Sequence, residues 1–118
     1  MNLPANKKYA YSIKKFVEEE EIWSIKDPDG WCLVGVEDQE CVPVWPAKRY
    51  AETFIKESWP SAHCESITLD AWLERWIPGM SKDHRHVSVF LTSDMNSVVV
   101  SPERLEEDLL ELEEEYYG

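Results

Sequence analysis

The stretch Glu21-Ile22-Trp23-Ser24-Ile25-Lys26-Asp27-Pro28-Asp29-Gly30-Trp31-Cys32-Leu33-Val34-Gly35-Val36 holds two β-forming runs around a turn. The first run is rich in β-branched and aromatic residues. Asp27-Pro28-Asp29-Gly30 then supplies Pro and Gly where a tight turn needs them, which predicts a β-hairpin. The return run, Trp31 to Val36, is almost wholly apolar and reads as a strand central in its sheet. After the turn Glu37-Asp38-Gln39-Glu40, the segment Cys41-Val42-Pro43-Val44-Trp45 pairs back as a third strand. Pro43 has no N–H to give a ladder, so the expectation is an edge or a bulge.

Helical periodicity lies on both sides of this β core. Before it, Tyr9, Ile13, Phe16 and Val17 line one helix face, while Lys7, Lys8, Lys14 and Lys15 bring residues 1–17 to +4. The run Glu18 to Glu21 then reverses the sign. After it, Ala47, Tyr50, Ala51, Phe54 and Ile55 form the stripe of a second helix that stops at Trp59-Pro60. Residues 61–66 read as a loop. A third helix starts with Thr68 as its cap, carries Leu69, Trp72, Leu73, Trp76 and Ile77 on its apolar face, and ends at Pro78-Gly79. Residues 86–92 and 97–101 read as a second hairpin. Ser101-Pro102 then signals the start of the last helix, about residues 102–117. Its seam Leu105, Leu109, Leu112, Tyr116 is too short for a free coiled coil and must pack on another element. The predicted order αβββααββα gives an α+β single domain over residues 1–118, an antiparallel sheet of about five strands packed with helices.

Composition narrows the function classes. The chain has 118 residues, 43% of them apolar, which suits one domain with a sizeable core. Its 24 acidic and 12 basic side chains give a net charge of −12. Such a surface repels phosphate backbones and anionic headgroups, so neither nucleic acid nor a membrane is an expected partner. The last helix alone, residues 102–118, sums to −7. No apolar leader or spanning run is present, and Cys32, Cys41 and Cys64 are irregularly spaced; both features predict a cytoplasmic protein with free thiols.

Four stretches together resemble a known family in order and spacing: Ile22-Trp23 with Asp29-Gly30-Trp31-Cys32-Leu33; Val42-Pro43-Val44-Trp45-Pro46 with Tyr50-Ala51-Glu52; Ile67-Thr68-Leu69-Asp70 through Trp76-Ile77-Pro78-Gly79; and Val98-Val99-Val100-Ser101-Pro102-Glu103-Arg104-Leu105. The family is the small acidic bacterial proteins called domain of unknown function 2750. The resemblance covers nearly the whole chain and implies a bacterial cytosolic protein; it carries over no catalytic residue. Where the family typically has Pro before the third helix, this chain has Thr68, and either residue type suits a helix start.

Candidate chemistry is sparse. Asp83, His84 and His86 are acceptable zinc ligand types, yet no further Cys or His is anchored near them at a recognisable spacing. His63-Cys64 sets a base beside a thiol, but adjacent side chains diverge in helix and strand alike. Gly-rich phosphate loops and hydrolase motifs do not occur, so neither catalytic residues nor a cofactor or metal are assigned. Tryptophan is more informative, because six in one small domain exceed what a core of this size ordinarily needs. Periodicity assigns Trp72 and Trp76 to the core. Trp23, Trp31, Trp45 and Trp59 lie at strand ends or beside turns and become candidate interface residues, with Trp45 favoured because Pro43 predicts an edge for its strand. The leading expectation is a non-enzymatic protein–protein interaction module using these rings and the Glu111, Glu114, Glu115 face. Its partner would be a basic protein, or a second copy forming a homodimer; the +4 helix could also lie beside the −7 helix within one chain. The alternatives are an acidic inhibitor or immunity-type protein, and a small metal- or thiol-dependent hydrolase using His63, Cys64, His84 or His86.

Overall fold

The computed structural model describes residues 4–117. Its elements are α1 (Ala5–Glu19), β1 (Glu21–Asp27), β2 (Gly30–Trp31), β3 (Val34–Val36), β4 (Gln39–Val44), α2 (Lys48–Ser58) and β5 (His63–Thr68). A helical run follows, made of α3 (Leu69–Ala71), a π-helical turn (Trp72–Trp76) and α4 (Ile77–Lys82), and then β6 (His86–Val89), β7 (Val98–Val100) and α5 (Pro102–Tyr117). The α+β class is as the sequence predicts.

The sheet arrangement differs from the expected one. Two sheets form, ordered β2-β1-β5 and β3-β4-β6-β7. The run read as one return strand divides at Cys32-Leu33: Trp31 pairs with Lys26 of β1, whereas Val34 pairs with Cys41 of β4. One apolar run thereby supplies edge strands to both sheets. The segment read as a loop at 61–66 is largely β5, which runs antiparallel to β1 from Glu21↔Thr68 to Lys26↔His63. Its polar, half-exposed composition gives no strand signal; the free edge of β1 supplies the order. The second sheet is mixed, since β4 and β6 run parallel.

Pro43 is not on an edge strand, because β4 lies between β3 and β6. Cys41 pairs with β3, while the N–H and C=O of Trp45 exchange hydrogen bonds with Trp23 of β1 at 2.8 and 3.2 Å. Pro43 sits between these pairings, where β3 has ended and β1 takes over. No strand asks for an N–H there, and its carbonyl accepts from Ser24 Oγ at 2.6 Å. The Trp23–Trp45 bridge joins the two sheets.

The third helix also runs past its predicted end. Ile77 N–H donates to Trp72 O, the i→i−5 pattern of a π turn, and this rerouting immediately precedes Pro78 near the start of α4. The helix therefore tolerates the missing N–H and continues to Lys82. Its left-handed terminator is His84 (φ 57°), with Arg85 N–H returning to Met80 O at 2.9 Å.

The predicted second hairpin forms, with Val87↔Val100 and Val89↔Val98. Ser101 caps α5 by accepting the Arg104 N–H at 3.1 Å, and Leu105 and Leu109 are buried. A single buried cluster joins Phe16 and Val17 of α1, Ile22 and Ile25 of β1, Val44 and Trp45, Phe54 of α2, Trp72, Val87 and Val89 of β6, and Leu105 of α5. The β3–β4 connection is a two-residue turn with both central residues left-handed, Glu37 at φ 53° and Asp38 at φ 63°. This geometry ordinarily selects Asn-Gly. Asp38→Gly is therefore expected to raise stability by about 0.5–1 kcal/mol in urea unfolding; a loss would show that the Asp38 side chain makes a compensating interaction.

Candidate functional site

Two surfaces are built from the residue types that recognise partners. The first lies between the terminal helices. Tyr9 Oη donates to Asp108 Oδ2 at 2.5 Å and Tyr116 Oη to Glu18 Oε2 at 3.2 Å, so α1 and α5 run parallel. The helix read as +4 therefore lies beside the helix read as −7 in the same chain. Their side chains meet through tyrosine–carboxylate bonds. Among the described residues, no α1 lysine comes within 4.0 Å of an α5 carboxylate, and Lys15 instead pairs with Glu18 of its own helix at 3.6 Å. Burial and the Asp108 carboxylate both raise the Tyr9 pKa.

Parallel packing has an electrostatic consequence. Both helix C-termini lie at one end of the molecule, and neither last turn contains a basic residue. The negative ends of two helix dipoles thus coincide with Glu18 and Glu19 of α1, Glu20 at its C-cap, and Glu111, Glu114 and Glu115 of α5, all exposed. Tyr116 and Tyr117 are 42% and 63% exposed, and Leu110 is 47% exposed. The result is an acidic pole with aromatic and aliphatic contact area. Sequence reading identified Glu111, Glu114 and Glu115; that Glu18–Glu20 join them depends on helix direction, which no local signal encodes.

The second surface is a cleft of about 450 Å³ between the β2–β4 segment and the helical run. Trp31 and Val42 contribute from strands and Leu33 from the link between β2 and β3, Trp76 and Met80 from the helical run, with Arg75, Asp83 and Arg85 as the lining charges. The rings of Trp31 and Trp76 meet edge to face at 4.8 Å, and Trp76 stacks on Trp72 at 5.6 Å and 19°. The π turn places these i, i+4 indoles nearly parallel. Lys26 Nζ lies 4.7 Å from the Trp31 ring centre. Arg85 is oriented by Glu40 at 2.7 Å and Asp83 at 3.1 Å, whereas Arg75 has no ion-pair partner among the described residues.

The tryptophans thus divide differently from the sequence reading. Trp45 is fully buried, donating its indole N–H to Leu91 O at 2.8 Å and packing on Phe54, so the expectation that favoured it as an interface residue is corrected. The error followed from the edge-strand reading of Pro43. Trp23 and Trp59 are half-buried against the core, and Trp31 lines the cleft. Trp72 is buried as predicted, but Trp76 is only partly so and faces the cleft with Trp31. A stripe at helical spacing distinguishes core from solvent; it does not reveal a stripe's edge that borders a cleft.

The titratable candidates are separated. His63 Nε2 lies 3.0 Å from Glu65 Oε1, the residue two along on the same face of β5, and the His63 bond lowers the Glu65 pKa. Cys64 faces away from that pair; burial and then the nearby Glu52 carboxylate raise its thiol pKa, the opposite of what a nucleophile needs. Asp83 pairs with Arg85, His84 is exposed in the turn, and His86 Nδ1 is buried without a hydrogen-bond partner. Among the described residues no group of three or more His, Cys, Asp or Glu is placed to hold a metal ion. No helix there is long and apolar enough to cross a membrane.

Fold and surface together define an acidic α+β protein whose two sheets share one core, with a charged pole and an aromatic cleft. The chain belongs to the family described as protein of unknown function (DUF2750), whose profile matches residues 9–109. No curated protein matches the chain. All the cleft residues lie within the matched span, and the last turns of α5, with Glu111, Glu114 and Glu115, lie beyond it.

Proposed function

We propose that this protein is a non-enzymatic interaction module of a bacterial cytoplasm, and that its acidic pole engages a basic protein partner. The observation carrying this reading is the parallel packing of α1 and α5, which concentrates two acidic runs, two helix C-termini and exposed Tyr116 and Tyr117 at one end. Carboxylates steer a cationic surface and the tyrosines supply contact area that tolerates a polar rim. The resulting interface is selective by location as well as by net charge.

A decalysine peptide provides the test. The variant with Glu111→Gln, Glu114→Gln and Glu115→Gln is expected to bind it about tenfold more weakly at low ionic strength. A second variant, Glu37→Gln, Glu52→Gln and Glu74→Gln, removes the same charge from exposed sites elsewhere and should change binding much less. Equal losses in the two variants would mean that net charge alone draws the peptide, and the pole would not be a recognition surface.

A further inference from the structure

We infer that the Trp31–Trp76 cleft is a binding site for a small molecule carrying a planar apolar ring and a carboxylate. The inference is independent of the acidic pole. The cleft's volume, about 450 Å³, lies in the range that holds a metabolite-sized ligand. Its walls are already shaped, because Trp76 is stacked on fully buried Trp72 and Trp31 is pinned edge to face against Trp76.

Charge decides the ligand class. On a chain of −12 the cleft is lined by two guanidinium groups against one carboxylate, Asp83, and that carboxylate is engaged by Arg85. Arg85 spends its Nε–H on Glu40 and an Nη1–H on Asp83, leaving further N–H donors, and the two carboxylates hold its plane in place. Arg75 has no ion-pair partner among the described residues. A cationic ligand would find few sites, because Lys26 already covers one face of Trp31 and Trp72 covers one face of Trp76. The edge-to-face contact of Trp31 and Trp76 occupies a further indole face, and an aromatic ring entering the cleft can extend the same packing. Ring in the cleft and carboxylate on Arg75 is the arrangement these groups satisfy together.

Matched probes test this on the intact protein: phenylacetate, 2-phenylethylamine and benzyl alcohol share one ring and differ in charge. Binding is read from the indole N–H resonances of Trp31 and Trp76. Phenylacetate is expected to shift both and saturate, with affinity about tenfold above that of the amine. Arg75→Glu, an exposed change on a helix surface, should abolish this preference, while Arg49→Glu on α2 should leave it intact. Unchanged far-ultraviolet circular dichroism keeps a folding defect from mimicking the loss. Equal binding of the three probes, tighter binding of the amine, or no shift of either indole would overturn the inference. So would binding of a peptide with a C-terminal Phe more than about tenfold tighter than phenylacetate, which would assign the cleft to a chain terminus. None of these outcomes depends on the decalysine result.

Discussion

Replacing Trp45 with Ala is expected to lower the unfolding free energy by about 3–5 kcal/mol, the range for deleting a large buried aromatic. The magnitude follows from position. Trp45 is 0% exposed, its ring contacts Phe54 at 5.3 Å, and its N–H satisfies the Leu91 carbonyl at 2.8 Å. Its backbone also forms the bridge that ties β4 to Trp23 of β1, so the cavity would open where the two sheets meet. Urea unfolding monitored by circular dichroism measures the change as a shift in midpoint at constant slope. Should the Ala variant fail to fold, Trp45→Phe keeps most of the packing and leaves the Leu91 carbonyl unpaired, for about 1–3 kcal/mol. A loss below about 1 kcal/mol in the Ala variant would show that Trp45 is not a keystone of the core.

The second large effect is alkaline. Burial, and then the Asp27 carboxylate, push the Cys32 thiol up from 9.0 to about 11, and Cys32 is 3% exposed. Tyr9 moves upward as well, from 10.0, through burial and Asp108. Between pH 9 and about 11 the native state keeps a Cys32 proton that the unfolded chain has released. The unfolded state then binds fewer protons, so stability is fully present below pH 9 and falls as pH rises. The Cys32 contribution is on the order of 2 kcal/mol, with Tyr9 adding to it from about pH 10. Unfolding measured at intervals from about pH 8 to about pH 11 should show this decline, and Cys32→Ala should flatten its first part. An identical pH slope in that variant would assign the decline to other groups. The same upward shift makes Cys32 a slow nucleophile, so alkylating reagents should label it slowly near neutral pH.

How far each feature was legible depended on the range of the interaction behind it. The start of α5 was legible because Ser101 and Pro102 act within one turn, and the Asp27–Gly30 hairpin because its turn residues act locally. The β5 strand was not legible: His63–Thr68 has no strong strand propensity, and the unpaired edge of β1, some forty residues earlier, makes it a strand. Pro43 misled for a related reason. A missing N–H excludes a ladder bond, but an edge is only one way to need none, and the handover from β3 to β1 is another. Trp45 was misplaced as a direct consequence.

The amino-acid sequence alone was enough for the α+β class, the family, both hairpin turns, the N-cap of α5, and the strongly acidic last helix. The turns, the cap and the charge are encoded by neighbours within a turn or by composition, and the class and family by the order of such local patterns along the chain. Long-range packing, in contrast, divides the strands into two sheets, makes Trp45 core while Trp31 and Trp76 share a cleft, and brings the ends of α1 and α5 into one acidic pole. Each of those depends on pairings between distant segments. A local pattern can say which face of an element is apolar, but the geometry of the assembled fold says what that face meets.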